Sequence, residues 1–215
     1  MTTSRATKPV EFTTRSPEET QQIGERLGAC LGPGDVVGLV GELGGGKTTF
    51  IQGLAKGLGL DPAHVKSPTF ILMREYPGGR VPLIHIDAYR LEGEASIVWL
   101  DLEWLLSPRK VTAVEWADRF VGCLPDDHVE IRFAHKSANQ RTLTLLPHGL
   151  RSSAIVHEMA RESSTEQAAL RPSRSKPPRI RWASPSSTRR GCWRHTKCSP
   201  SVRTQRSCPA RCTAC

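Results

Sequence analysis

Long apolar runs and cysteine pairs are both scarce in the first 170 residues of this 215-residue chain. No segment approaches the ~18 apolar residues of a membrane-spanning helix. The opening stretch, MTTSRATKPVEF, has no apolar run long enough for a signal peptide. Only Cys30 and Cys123 lie in this region, which does not indicate a disulfide scaffold. We therefore expect a soluble, cytoplasmic protein that has no membrane partner.

Acidic residues are missing from residues 171–215, which hold 12 of the 30 Lys and Arg residues. Residues 1–170 are left with 18 basic and 21 acidic side chains, a net charge of −3. The overall charge of +9 thus belongs to the end of the chain. Nothing in the charge of residues 1–170 calls for a nucleic-acid surface.

Strand and helix patterns alternate along residues 9–149. Nearly continuous apolar runs predict buried strands at 35–40, 81–87 and 110–116. Alternating segments predict a first strand at 9–14 and a hairpin built from 128–133 and 141–146. Helical spacing predicts helices at 16–31, 47–58 and 92–107. The alternation favours an α/β fold with a mainly parallel central sheet and an antiparallel hairpin at its C-terminal edge.

The stretch GELGGGKTTF, residues 41–50, matches the pattern G-x-x-x-x-G-K-[ST] through Gly41, Gly46, Lys47 and Thr48. A predicted buried strand precedes it and a predicted helix follows. Such a loop can turn its backbone N–H groups toward phosphate oxygens, and the helix N-terminus adds partial positive charge. The lysine would reach the β- and γ-phosphates, and the threonine hydroxyl would ligate Mg²⁺. The fold expected is therefore a P-loop NTPase-like three-layer sandwich.

Two carboxylates end predicted buried strands at the edge where this loop lies. Asp87 ends LIHID and Glu115 ends VTAVE. Because an unpaired buried carboxylate is costly, a cation partner explains both positions. One of the two could hold the metal while the other orients or deprotonates water, and the residues alone do not fix which does which.

Four motifs in this order resemble the TsaE family, bacterial P-loop ATPases needed for threonylcarbamoyladenosine modification of tRNA. They are GELGGGKTTF at 41–50, VKSPTF at 65–70, HIDAYRL at 85–91 and VEW at 114–116. The resemblance covers about residues 8–149. It implies that Thr48 and Glu115 ligate Mg²⁺, and that Asp87 acts on the metal or on water. It also implies that ATP phosphates bind to residues Gly41, Glu42, Leu43, Gly44, Gly45, Gly46, Lys47, Thr48 and Thr49.

Other family positions carry less definite roles. Thr69, in the segment SPTF, is the candidate that senses the γ-phosphate. Trp116 matches the tryptophan after the glutamate, where packing of a loop and a switch role are both open. Tyr89 and Arg90 match a tyrosine–arginine pair, and Arg90 could contact phosphate or a partner or lie on the surface. His85 we interpret as a packed core histidine.

The resemblance also implies partners and a division of labour. The partners would be TsaB and TsaD homologues, with tRNA contacted only indirectly. TsaD transfers the threonylcarbamoyl group to adenosine 37 of tRNAs, and the ATPase would cycle that complex while hydrolysing ATP slowly on its own. The alternatives are a small P-loop kinase, a GTPase, or a nucleotide-dependent binding module. The GTPase alternative is disfavoured because the sequence contains no N-K-x-D-like motif for recognising guanine.

We expect two parts, a P-loop ATPase domain over 1–150 and a basic tail rich in Cys, Arg, Ser and Pro over 151–215. Residues 151–170 could form a weak helix. From residue 171 the chain has no hydrophobic periodicity, which fits disorder or an out-of-frame reading of a GC-rich gene. A basic arm that touches tRNA remains an alternative. A zinc site is a further one, although its cysteine spacings are not the usual pair of pairs.

Overall fold

A computed structural model describes residues 8–91, 106–119, 122–137 and 139–169. These residues form one mixed seven-stranded sheet and three α-helices. The strands are β1 (Val10–Thr14), β2 (Val36–Val40), β3 (Met73–Tyr76), β4 (Leu83–Asp87), β5 (Val111–Glu115), β6 (Val129–Ser137) and β7 (Gln140–Pro147). The helices are α1 (Pro17–Cys30), α2 (Lys47–Gly57) and α3 (Leu150–Ala169). Within these ranges, no helix is long and apolar enough to cross a bilayer.

The strand order across the sheet is β1-β7-β6-β2-β5-β4-β3. The four central strands, β6, β2, β5 and β4, are parallel, which confirms the predicted parallel centre. The prediction for the hairpin was wrong in its position. Its first strand, β6, is parallel to β2 and extends the central block, whereas β7 turns back and pairs with β1. The sheet edges are β1 and β3, and β3 was not predicted.

Helix α1 begins where its sequence predicts. Ser16 is the N-cap, its hydroxyl accepts the Glu19 N–H at 3.2 Å, and Pro17 occupies the first helical position. The Glu19 carboxylate reaches back to accept the Arg15 N–H at 2.7 Å. These contacts fix the turn between β1 and α1.

Helices α1 and α2 pack so closely that four glycines replace side chains between them. A Cβ added to Gly24, Gly28, Gly53 or Gly57 would lie 2.0–2.2 Å from a carbonyl oxygen of the other helix. The contact explains why α2 has glycines at Gly53, in its interior, and at Gly57, its last residue. A glycine in a helix interior lowers helix propensity by roughly 1 kcal/mol relative to alanine. The packing of α1 therefore holds the helix that begins at Lys47.

The main hydrophobic core joins all three described helices to one face of the sheet. Leu27 of α1, Phe50 and Leu54 of α2, and Val156 of α3 are fully buried in it. A second cluster, centred on Ile84, Ile86 and Val114, covers the other face of β4 and β5. The helix expected at 92–107, which would add a third layer, lies mostly outside the described residues.

Helix α3 lies beyond the domain boundary predicted at residue 150. Its side chains Ile155, Val156 and Met159 are buried in the main core, and Asp127 accepts N–H bonds at its first turn. The packed part of the chain thus continues past that boundary into residues predicted as tail. The remainder of the predicted tail, from residue 170, lies outside the described residues.

Candidate functional site

The candidate site lies at the carboxyl edge of the parallel strands. The loop at 41–46 leaves β2, and α2 starts directly after it. Gly44 and Gly46 have φ of 75° and 99°, in the left-handed region that favours glycine. Gly46 is the N-cap of α2 and has no side chain to cap it, so the first N–H groups of the helix are left for another acceptor. A loop of this type presents main-chain donors to an anion.

Lys47 is almost completely buried at the first position of α2, with 4% of its surface exposed. Its Nζ donates to the carbonyl oxygens of Gly41 and Glu42 at 2.7 and 2.8 Å. The ammonium also lies 3.9 Å from the ring centroid of Trp116. Burial lowers the pKa of this ammonium, and the negative charges of Glu115 and Asp87 oppose the shift. A cation held this way is poised inside the loop.

Thr48 and Glu115 meet across the gap between α2 and β5. The Thr48 hydroxyl donates to Glu115 Oε1 at 2.7 Å. The same oxygen accepts from His85 Nε2 at 2.9 Å. Glu115 is 4% exposed and His85 is 0% exposed, so both groups have lost nearly all contact with water. Two donors therefore fix one carboxylate oxygen beside the start of α2.

His85 is buried, as the sequence predicts, but it also belongs to the site, which the sequence analysis missed. It faces the same side of the sheet as Asp87 because the two residues lie at positions i and i+2 of β4, with only Ile86 between them. The alternation of side chains along a strand could have indicated this role, because it puts the His85 ring on the same face as Asp87, a predicted functional acid. Its second nitrogen, Nδ1, is buried and has no hydrogen-bond partner among the described residues.

Asp87 lies beside Glu115, since the two residues are paired in the parallel register of β4 and β5. Its Oδ2 accepts from the hydroxyls of Ser67, at 2.6 Å, and Thr69. Its Oδ1 accepts the Tyr89 N–H at 3.0 Å and so caps the short turn at Ala88–Arg90. The segment that carries Thr69 is thus tied to a strand-end carboxylate.

Aromatic and arginine side chains stack on one another beside the site. Trp116 follows Glu115 with φ of 58°, a left-handed value that is rare for a residue other than glycine. Its ring lies 5.1 Å from that of Tyr89, and Arg119 lies over both rings. Arg90 lies 4.6 Å from the ring of Phe70, which is 85% exposed.

These groups surround a cavity of about 410 Å³. The structure brings together nearly all residues that the sequence singled out. The cavity is lined by loop residues Leu43, Gly44, Gly45, Gly46, Lys47, Thr48 and Thr49, by Ser67 and Thr69, and by Asp87, Tyr89, Glu115 and Trp116. Gly41 and Glu42 do not line it and contribute through their carbonyl oxygens to Lys47. The Leu43 side chain is 76% exposed, so its backbone is the part relevant to the loop.

A second polar cluster lies at the base of the β6–β7 hairpin. The rings of His128 and His148 stack at 4.3 Å, and His148 donates to Glu130 at 2.9 Å. His128 donates to the Pro125 carbonyl at 2.7 Å, and Arg132 donates to Glu130 at 2.5 Å. The Glu130 carboxylate thus accepts from two neighbours, and His128 already donates to a carbonyl oxygen. We interpret the cluster as a structural network.

The fold and the site define an α/β protein with a glycine-rich loop, a buried lysine and two strand-end acids at one sheet edge. The family model "Threonylcarbamoyl adenosine biosynthesis protein TsaE" matches residues 14–143. The chain belongs to the TsaE family.

Relatives and a solved structure agree with this assignment. The tRNA threonylcarbamoyladenosine biosynthesis protein TsaE of Bacillus subtilis is 38% identical over 157 residues, which is 73% of this chain and 98% of that protein. The protein of the same name from Streptomyces coelicolor is 45% identical over 115 residues, 52% of this chain and 76% of that one. The crystal structure of Bacillus subtilis YdiB superposes with a TM-score of 0.63 at 33% identity, covering 74% of this chain and 99% of YdiB.

Proposed function

We propose that this chain is a Mg²⁺-dependent P-loop ATPase that serves threonylcarbamoyl modification of adenosine 37 in tRNAs reading codons that begin with adenine. Its hydrolysis would act on a complex of TsaB and TsaD homologues, and TsaD would perform the transfer. The observation that carries the proposal is the meeting of Thr48 and Glu115, at 2.7 Å, beside a buried lysine and a second acid. Family membership supplies the pathway, and tRNA modification fits a cytoplasmic location.

The residues present fit a magnesium–triphosphate group. The glycine loop and the uncapped start of α2 offer main-chain donors to phosphate oxygens. A threonine hydroxyl and a carboxylate already lie at contact distance, and oxygen ligands of this kind suit Mg²⁺. The buried ammonium of Lys47 balances the negative charge that phosphates would bring.

Each group has a separate task in this proposal. Thr48 and Glu115 would hold Mg²⁺, which would supply charge neutralisation on the phosphate oxygens. Lys47 would leave the carbonyls of Gly41 and Glu42 to bind the β- and γ-phosphates. His85 would keep Glu115 oriented when the Thr48 hydroxyl turns from the carboxylate to the metal.

In the proposed reaction, Asp87 would orient the attacking water. Its Oδ2 accepts hydrogen bonds from the hydroxyls of Ser67 and Thr69 at the wall of the cavity. Thr69 would exchange its bond to Asp87 for one to the γ-phosphate, which would free that carboxylate oxygen for water. The segment at 67–70 would thereby respond to the presence of a third phosphate.

We expect the chain alone to hydrolyse ATP slowly, because the arginines near the cavity are already engaged in other contacts. Arg90 lies over the Phe70 ring, and Arg119 lies over Tyr89 and Trp116 and donates to the Tyr89 carbonyl. An arginine that stabilises the transition state can raise phosphoryl-transfer rates about 10³–10⁵-fold. We propose that the partner complex either supplies such a group or releases one of these.

The proposal is tested in cells depleted of their own copy of the protein. Lys47→Ala and Thr48→Ala should each fail to restore threonylcarbamoyladenosine in tRNA, measured by mass spectrometry of digested nucleosides. Lys56→Ala is the matched control, since Lys56 is exposed on the same helix and forms a surface ion pair with Glu25. Restoration by either site variant would refute the proposed mechanism.

A further inference from the structure

Arg141, at the start of β7, lies beside the phosphate-binding loop although the functional groups described above do not include it. A methyl group placed on Gly46 would be 3.8 Å from Arg141 Cδ and 3.9 Å from its Nε. The residue pairs with Thr14 of β1 on one side and with His135 of β6 on the other. It therefore lies at the same sheet edge as the loop.

The Nε of Arg141 has no hydrogen-bond acceptor among the described residues that would account for its position. This nitrogen is also buried. A buried donor without a partner costs about 1–3 kcal/mol, and such groups are rare in native structures. Thr14 and Thr20, which lie nearby, bond to each other at 3.0 Å and do not serve it. The position is explained if a ligand supplies the acceptor.

The sheet order tells on which side of the loop that ligand would lie. The groups proposed for Mg²⁺ and the γ-phosphate, Glu115, Asp87 and Thr69, are all on the β5–β4 side of β2. Arg141 is on the opposite side, beyond β6. A nucleotide whose triphosphate end lies toward β4 must extend its nucleoside toward β6, β7 and β1. Ligands of open α/β sheets bind outside the carboxyl ends of the strands, which is this edge.

We propose that Arg141 binds the nucleoside half of the nucleotide, with its guanidinium against the base and ribose. The inference rests on the proposed ATPase function and adds a subsite to it. A nucleoside offers what the side chain lacks, namely ring-nitrogen and ribose-oxygen acceptors and an aromatic face for a planar cation. The phosphates would bind in the cavity beside the loop. Arg141 is not one of the described residues that line this cavity, so we do not assign it a phosphate contact.

The test compares two ligands by isothermal titration calorimetry, ATP and inorganic triphosphate, each with Mg²⁺. In Arg141→Gln the Kd for ATP should rise about tenfold, from loss of a cation–aromatic and hydrogen-bond contact. The Kd for triphosphate should change less than about twofold, within the scatter of such comparisons. Arg74→Gln, the same change on the exposed face of β3 at the other end of the sheet, should leave both values as in the unaltered chain.

The outcomes separate the inference from the proposal beneath it. An equal loss for ATP and triphosphate, or no loss for either, would overturn the nucleoside role while leaving the ATPase proposal intact. Failure of the unaltered chain to bind ATP would refute both. Arg141→Lys guards against misfolding, since it keeps the charge and stem but lacks Nε, and it should show the same selective loss for ATP.

Discussion

Gly53→Ala should destabilise the protein even though alanine is the better helix former. The Cβ added at Gly53 would lie 2.0 Å from the carbonyl oxygen of Gln21 and 2.8 Å from its Cα, both backbone atoms that no rotamer change can move. Ordinary van der Waals contact begins at 3.4 Å, so α1 and α2 would have to separate by more than an ångström locally. Helix propensity gains about 1 kcal/mol, whereas a clash against rigid backbone exceeds the usual overpacking loss of about 1–3 kcal/mol.

We therefore expect a net loss of about 2 kcal/mol and a fall in Tm of about 4–8 °C for a domain of this size. Urea unfolding followed by circular dichroism measures the free energy of unfolding, and a thermal scan gives Tm. Gly32→Ala is the matched control, because its nearest neighbour is the flexible end of Arg151 at 3.6 Å, and stability should change by less than about 0.5 kcal/mol. A Gly53→Ala protein as stable as the unaltered chain would refute the close-packing argument.

Two further predictions concern polar groups. His85→Ala removes an N–H donor from Glu115, so the Mg²⁺ concentration for half-maximal ATP turnover should rise about tenfold, as for other groups that orient metal ligands. His85→Gln retains a donor and should restore part of the lost Mg²⁺ affinity. An unchanged Mg²⁺ requirement in both variants would exclude the positioning role. Asp127→Ala should lower stability at pH 7 by about 1 kcal/mol through loss of the cap on α3. Burial raises the pKa of Asp127, but N–H bonds from Ser152 and Arg151 outweigh it and leave that pKa below its usual value. The contribution of Asp127 to the free energy of unfolding is therefore complete above about pH 4 and is lost as pH falls through the folded pKa. Urea unfolding should thus show a difference from the unaltered chain that disappears in acid, and a difference that persists there would contradict the assignment.

The sequence predicted the parallel centre of the sheet and the composition of the site because both follow from local patterns. Continuous apolar runs identify strands buried on two faces, and an acid at the end of such a run falls at the carboxyl edge. Local patterns therefore suffice to predict that Thr48, Asp87 and Glu115 lie together. The start of α1 is also local, because Ser16 and Glu19 cap it within one turn.

Long-range contacts account for what the sequence did not predict. β3 has only four residues, half-exposed along most of its length, and is set by pairing with β4. The position of the β6–β7 hairpin depends on the pairing of β7, the last strand, with β1, the first. No local sequence pattern predicts a contact between strands so far apart in the chain. The importance of His85 likewise lies in its contact with Glu115, thirty residues away. Helix α3 confirms the weak helix expected at 151–170, but its burial against the core, which mainly holds it, was not predicted.

The most direct test of the account is Mg²⁺-dependent ATP turnover by the full chain, alone and with the TsaB and TsaD homologues proposed as its partners. We predict slow turnover alone, a clear increase when the pair is added, and no turnover above background for Thr48→Ala under either condition. Equal rates for Thr48→Ala and the unaltered chain in the presence of the pair would contradict the proposed magnesium–triphosphate site. ATP binding without turnover in every condition would instead identify a nucleotide-dependent binding module.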